Sequence, residues 1–374
     1  MHVITVIDRG MKERIDHIMS LAGSYRSMDE FVTRAVLNQI ALEESGLTES
    51  VRYAREDDSM SKGKSSLGIA VEPSVGSVSP QSRKPPSRIR LQQPVELEPQ
   101  LLSVASNAPK MVDFRPLDSD ENSRPLWGQM NRLAPMKLPL RFLSNMLSKD
   151  GEMWIDIEIV SAAVSKQAPT IRAILEAKDE EEKRKRRGGF SAAFPIRERS
   201  SLQRFSNQYL GYLAKESGKA KGLLAELSLI DIEKSAEGTV QVGITEPGWE
   251  YTQIRSPLLD DLIIQGGSVP MPMSREEVVF LVDHMRRFRP GELNFLQSVV
   301  SAVSKGSNSP TALFTSVEEY FRTNVVWPNL TQAVVGTMRA GAVSKLVEMG
   351  VLGINKIGAR SEYYVIEDGR ALVT

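Results

Sequence analysis

His2-Val3-Ile4-Thr5-Val6-Ile7 is a β-branched run at the start of the 374-residue chain, and such a run is typical of a β-strand. Asp8 follows as a helix N-cap, and apolar residues then recur at helical spacing. Ser27-Met28-Asp29-Glu30 forms a capping box at the start of a second helix. One strand and two helices within residues 1–48 cannot close a core alone, and the strand edges lack partners. We therefore expect two chains to pair their strands, which makes the protein a homodimer through residues 1–48.

These residues resemble the ribbon-helix-helix family of prokaryotic DNA-binding proteins, which includes MetJ and Arc. The resemblance covers residues 2 to about 44 and rests mainly on residues 10–16 and 26–36. It implies that the paired ribbon lies in the major groove of DNA, while the start of the second helix meets a phosphate. The implied strand contacts are His2, Ile4 and Val6. A one-residue slip of the register would invert the strand faces and leave Thr5 as the only polar contact. The implied phosphate contacts are Arg26 and Ser27.

The outward strand face departs from this family. Ile4 and Val6 are apolar, whereas readout of base edges favours Arg, Lys, Asn or Gln. The alternative interpretation is that the ribbon only joins two chains and does not read sequence.

Residues 49–123 are predicted to be a disordered linker rich in Pro and Ser. Nine of the 20 prolines fall between Pro73 and Pro125, and a segment with few apolar residues cannot offset its ordering entropy. Within it, residues 83–90 form a basic patch without an acid, which would add phosphate contacts.

Two further domains are predicted, at residues 124–253 and 254–374, and they look like copies of one unit. Each reads as a helix-turn-helix followed by a β-hairpin, which is similar to a winged-helix domain. In the second domain we expect helices at 330–339 and 342–349, separated by Gly341. In the first we expect them at 202–215 and 219–227.

The hairpins are predicted from short apolar runs around a polar loop. Their strands are expected at residues 230–233 and 239–244, then at 351–354 and 363–366. The predicted fold is thus mainly α with small β (α+β), as a ribbon-helix-helix module, a disordered linker and tandem winged-helix-like domains. Helix-turn-helix units can contact DNA, and the candidate contacts here are Lys219, Lys221, Lys345, Lys356 and Arg360. The low charge of these units leaves DNA contact and protein contact equally open.

Composition narrows the possible functions. Cysteine is absent, histidine occurs three times, and 47 basic residues balance 47 acidic ones. Neither a Gly-rich phosphate loop nor a Gly-x-Ser-x-Gly motif is present, so we expect no enzyme activity, cofactor or metal. No apolar stretch is long enough to span a membrane, and no secretory signal opens the chain. We expect a cytoplasmic, nucleoid-associated protein.

The sequence therefore predicts a homodimeric prokaryotic DNA-binding protein, best explained as a transcriptional regulator. Its expected partners are double-stranded DNA and a second copy of itself, with a protein at the winged-helix units as the alternative to DNA contact there. Two alternatives stay open. One is an architectural or segregation protein that binds DNA without reading its sequence, and the other is a scaffold whose hairpins contact protein.

Overall fold

The computed structural model describes residues 97–115, 118–184, 189–325, 330–357 and 360–373. We call these residues the C-terminal body, with a first half up to residue 253 and a second half from residue 254. The predictions for the ribbon-helix-helix module, including His2, Ile4, Thr5, Val6, Arg26 and Ser27, lie outside the described residues. So does the basic patch at residues 83–90.

Helices dominate the body, and its strands form small antiparallel sheets, so the fold class is α+β. The helices are α1 (Pro99–Leu102), α2 (Ser119–Asn122), α3 (Lys137–Asp150), α4 (Ile157–Glu181), α5 (Arg199–Tyr209), α6 (Leu223–Glu226), α7 (Glu246–Gln253), α8 (Arg275–Phe288), α9 (Pro290–Ser304), α10 (Pro310–Asn324), α11 (Gln332–Glu348) and α12 (Glu367–Val373). The strands are β1 (Ile155–Asp156), β2 (Tyr212–Leu213), β3 (Ala220–Lys221), β4 (Ile230–Lys234), β5 (Val240–Ile244), β6 (Leu352–Ile357) and β7 (Arg360–Val365). A π-helical segment, Pro257–Ile264, lies at the start of the second half.

Both predicted hairpins are confirmed. In the first, β4 pairs with β5, and β1 joins the other edge of β5 to give the order β1-β5-β4. In the second, β6 pairs with β7, with Leu352 opposite Val365. The Tyr364 ring on the opposite strand lies directly over Gly353, in the space that a Cβ atom there would occupy.

The helix end before each hairpin has the same backbone conformation in both halves. Ser228 after α6 has φ of 54°, and Gly350 after α11 has φ of 70°. Both residues are therefore in the left-handed region that often ends a helix. Each of them lies two residues before the first strand of its hairpin, β4 or β6.

The backbone closes each hairpin in the same way. The Thr245 N–H donates to the Leu229 carbonyl at 3.2 Å, and the Ile366 N–H donates to the Val351 carbonyl at 2.9 Å. A helix, α7 or α12, follows at once in each half. The hairpin and its flanking helix ends are thus a structural repeat.

The helices before the hairpins differ from the prediction. In the second half, α11 runs unbroken through Gly341, so the helix-turn-helix expected at 330–349 is one helix. A Cβ atom at Gly341 would overlap the carbonyl oxygen of Gly128. This glycine therefore permits a close backbone approach instead of ending a helix. In the first half, the expected second helix is replaced by β3 and the single turn of α6.

The folded body begins earlier than the predicted linker allows. Residues 97–115 pack onto the first half, with Leu102 and Val112 buried. The Val112 N–H donates to the Ile244 carbonyl at 2.9 Å, at the end of β5. The few apolar residues of this segment suffice because they cover a surface that the helices and β5 already form.

The predicted boundary at residue 254 does not separate two bodies. The described residues fall within one compact unit, Leu91–Thr374, and buried ion pairs cross the boundary. Lys137 Nζ lies 2.9 Å from Glu277 Oε1, with both side chains fully buried. Burial lowers the pKa of Lys137 to about 8, against the opposing effect of Glu277.

Candidate nucleic-acid interface

Lys219 and Lys221 lie on the small β2–β3 hairpin, where acidic side chains meet them. Lys219 Nζ is 3.0 Å from Asp118 Oδ2 and 3.3 Å from Glu121 Oε1. Lys221 Nζ is 3.4 Å from the same oxygen of Glu121. Asp118 precedes α2 and Glu121 lies within it, so both carboxylates offset the charge that these lysines would offer to a phosphate.

Lys345 is not at the surface, contrary to its prediction as a DNA contact. Its ammonium group is buried in an ion pair with Glu292 of α9. The other oxygen of that carboxylate accepts the Leu126 N–H at 2.7 Å. Lys345 therefore holds α11 to α9 and the segment before α3, because a buried charge must be paired to be tolerated.

The helix that carries Lys345 is covered along its C-terminal half. Gly128 packs against α11 at Gly341. Glu348 at the end of α11 accepts the N–H groups of Leu133 and Ala134, at 2.5 and 3.2 Å. Residues 126–134 thus occupy the surface that a DNA groove would need, so the C-terminal half of α11, which carries Lys345, cannot enter a groove in this conformation.

Lys356 and Arg360 remain exposed near the end of the β6–β7 hairpin. Lys356 faces Ser361 across the ladder, and Arg360 faces the backbone of Ile357. Neither cation has an ion-pair partner within the described part of the chain. Of the predicted contacts in the body, these two are the ones available to a phosphate without displacing a carboxylate.

Helix α5 presents a polar surface that sequence reasoning did not single out. Its residues Arg199-Ser200-Ser201-Leu202-Gln203-Arg204-Phe205-Ser206-Asn207-Gln208-Tyr209 include no acid. Arg199, Gln203 and Arg204 are exposed, whereas Phe205 and Tyr209 are buried and anchor the opposite face. Neither arginine has an ion-pair partner among the residues that the structure describes.

The chemistry of this face suits DNA. Arginine can donate two hydrogen bonds to guanine, and glutamine or asparagine can pair with adenine in the major groove. The Gln203 Nε2 donates to Asn207 Oδ1 at 2.9 Å, so these two amides already lie side by side one turn apart. The exposed β2–β3 hairpin begins three residues after the helix ends.

A sequence signal for α5 did exist. Residues 199–209 combine two arginines, three side-chain amides and no carboxylate. The expected helix at 202–215 began too late to include Arg199 and ran into residues that form β2.

Comparisons with known proteins give no match. No protein family, no curated protein and no solved structure matches this chain. Within the described ranges, no group of three or more His, Asp or Glu side chains is placed to hold a metal ion. In the same part of the chain, no helix is long and apolar enough to cross a membrane.

Proposed function

We propose that this chain is a homodimeric DNA-binding protein that regulates transcription. Residues 1–48 pair two chains and place their ribbon in the major groove, with Arg26 and Ser27 on a phosphate. The C-terminal body adds contacts through α5 and through Lys356 and Arg360.

The exposed face of α5 is the observation that carries the proposal for the body. The whole chain has no net charge, so attraction to DNA must come from local patches. Arg199 and Arg204 supply positive charge that no carboxylate of the described residues pairs, and Gln203 beside them is of a type that reads bases. The covered C-terminal half of α11 supplies neither.

The test is duplex binding by the full chain, measured by fluorescence anisotropy from 50 to 200 mM NaCl. The variant is Arg199→Gln/Arg204→Gln. Each lost phosphate contact reduces the slope of log K against log salt by about 0.9, so we expect the slope to become shallower by up to about 2.

The matched control is Arg286→Gln/Arg322→Gln, which removes the same charge from α8 and α10. Both control arginines are exposed and pair within their own helix, with Asp283 and Glu318. The control should keep the wild-type slope. Equal slopes for the α5 variant and the wild type would contradict a DNA contact by α5.

A protein partner at the second hairpin is the second candidate function. Ile354 and Tyr364 are 43% and 46% exposed, and the ladder register places them on opposite faces of the hairpin. Exposed apolar side chains beside a covered α11 favour protein contact at this end. Under that alternative, Ile354→Ser/Tyr364→Ser would leave duplex binding unchanged and abolish recovery of a defined partner in pull-downs.

A further inference from the structure

A cleft of about 570 Å³ runs between α7 of the first half and α8 of the second half. This volume lies within the range of about 300–1,000 Å³ that small-molecule sites have. Pro247 and Glu250 form the α7 wall. The α8 wall consists of eight residues, Arg275, Glu276, Val279, Phe280, Asp283, His284, Arg287 and Phe288.

The α8 residues form two rows with a spacing of four, and residues so spaced share one face of a helix. The inner row holds Phe280, His284 and Phe288, which make an aromatic floor. The outer row has Val279 at its middle and Arg287 at its end. Val279 is 41% exposed, so the cleft has solvent-exposed apolar surface that a ligand could cover.

The floor is supported from beneath, so the cleft is already formed without a ligand. The Phe280 ring stacks on Tyr251 with centroids 5.3 Å apart, and Phe288 packs on Phe114 at 4.4 Å. His284 lies between them and is nearly parallel to Phe280, at 5.8 Å.

His284 contributes as a neutral ring. Its Nε2 lies 2.5 Å from the Leu227 carbonyl, and burial lowers the pKa of the imidazole. The ring is thus uncharged at neutral pH, with Nε2–H donating to that carbonyl. It adds flat apolar surface to the floor and no charge.

Charged side chains also line the cleft: Glu250 on the α7 wall, Arg275 and Glu276 in the first turn of α8, and Asp283 and Arg287 farther along that helix. Asp283 pairs with Arg286. Arg287 is exposed and has no ion-pair partner in the described ranges, so its guanidinium, near Phe288, can pair with an anionic group.

We propose that this cleft binds a small organic anion with a flat apolar body. The apolar body lies on Val279, Phe280 and Phe288, and the anionic group pairs with the Arg287 guanidinium. Arginine suits this role because its planar fork matches a carboxylate or sulfonate in two parallel hydrogen bonds. This site goes beyond DNA binding and does not depend on it.

The probe is 8-anilinonaphthalene-1-sulfonate, an aromatic sulfonate of the proposed class, titrated into the full chain by fluorescence and calorimetry. We expect saturable binding at one site. Arg287→Gln should weaken it by roughly fivefold to tenfold, since a charge-assisted hydrogen bond is lost at a partly exposed rim. Val279→Glu should weaken it by more than about tenfold, because a charged carboxylate would replace apolar surface on which the naphthalene ring lies and would lose hydration when the ring covers it.

Two controls separate the cleft from other apolar surface. Ile264→Glu changes a residue that is also 41% exposed but lies outside the cleft, and Arg322→Gln removes an arginine from α10. Both should bind the probe as the wild type does. Absence of saturable binding, or equal affinity of Val279→Glu and Ile264→Glu, would overturn the proposal.

Discussion

Glu226 and Glu348 occupy equivalent positions in the two halves, and each pairs with an arginine of the other half. Glu226 Oε2 lies 3.6 Å from Arg289 Nη2, and Glu348 Oε1 lies 3.1 Å from Arg132 Nη1. Burial raises the pKa of both carboxyl groups against the opposing effect of the arginines. The two halves therefore hold each other by reciprocal ion pairs, which explains why they share one core.

Loss of the Glu348 carboxylate should strongly destabilise the body. Glu348→Ala leaves Arg132 and the N–H groups of Leu133 and Ala134 without their acceptor. Removing one partner of a buried pair costs about 3–5 kcal/mol, measured as the free energy of unfolding in urea. Glu319→Ala, at an exposed position of α10, should change it by less than about 0.5 kcal/mol. Similar values for both variants would show that the pair contributes nothing.

Two glycines of α11 should respond in opposite ways to alanine. At Gly341 a Cβ atom would overlap the backbone of Gly128, so Gly341→Ala should destabilise by about 1–3 kcal/mol. At Gly336 the nearest atom is Phe314 Cε2 at 3.8 Å. Gly336→Ala should therefore stabilise by about 0.5–1 kcal/mol, the usual gain in a helix interior.

Thermal unfolding of the two alanine variants, followed by circular dichroism, checks this prediction. Stabilisation by both substitutions would mean that residues near Gly128 do not cover α11. The helix would then be free to approach DNA.

Local patterns predicted the hairpins because each strand and its partner are neighbours in sequence. Local patterns gave wrong predictions where contacts between residues far apart in sequence determine the structure. Gly341 looked like a helix end, yet its role is set by Gly128, more than 200 residues earlier. Lys345 looked exposed because nothing in the spacing of α11 indicates that Glu292 lies against it.

The α5 face was missed for a different reason. Its residue types are a legible signal, but the expected helix boundaries were displaced by three residues at the start. Charge patterns are informative only when the element that carries them is correctly bounded.

Acid should destabilise the body through His284. Burial lowers its folded pKa below the ordinary value of about 6.5, so the unfolded chain binds more protons between these two values. The free energy of unfolding should fall as pH drops below about 6.5, by at most about 1.4 kcal/mol per pH unit. In His284→Gln this contribution is absent. The difference in free energy of unfolding between the wild type and this variant should therefore be smaller at pH 5 than at pH 7. A constant difference would exclude the effect.

The second hairpin should contribute to DNA affinity if its exposed cations meet phosphates. Lys356→Gln/Arg360→Gln should make the salt slope of duplex binding shallower by up to about 2. Arg286→Gln/Arg322→Gln is the comparison, because it removes the same charge from exposed positions of α8 and α10 and should leave the slope unchanged. An unchanged slope in the hairpin variant would assign this hairpin to protein contact.

The central claim is that the homodimer binds DNA. It is tested most directly by titrating the full chain, at several salt concentrations, onto a mixed-sequence duplex of about 30 base pairs, which is roughly three helical turns of DNA. The proposal predicts saturable binding by two chains, with a log–log salt slope of about −5 or steeper, as about six phosphate contacts require. The proposal would be contradicted by an absence of binding at about 50 mM NaCl, because phosphate contacts are strongest at low salt. Binding of the duplex by a single chain would contradict it as well.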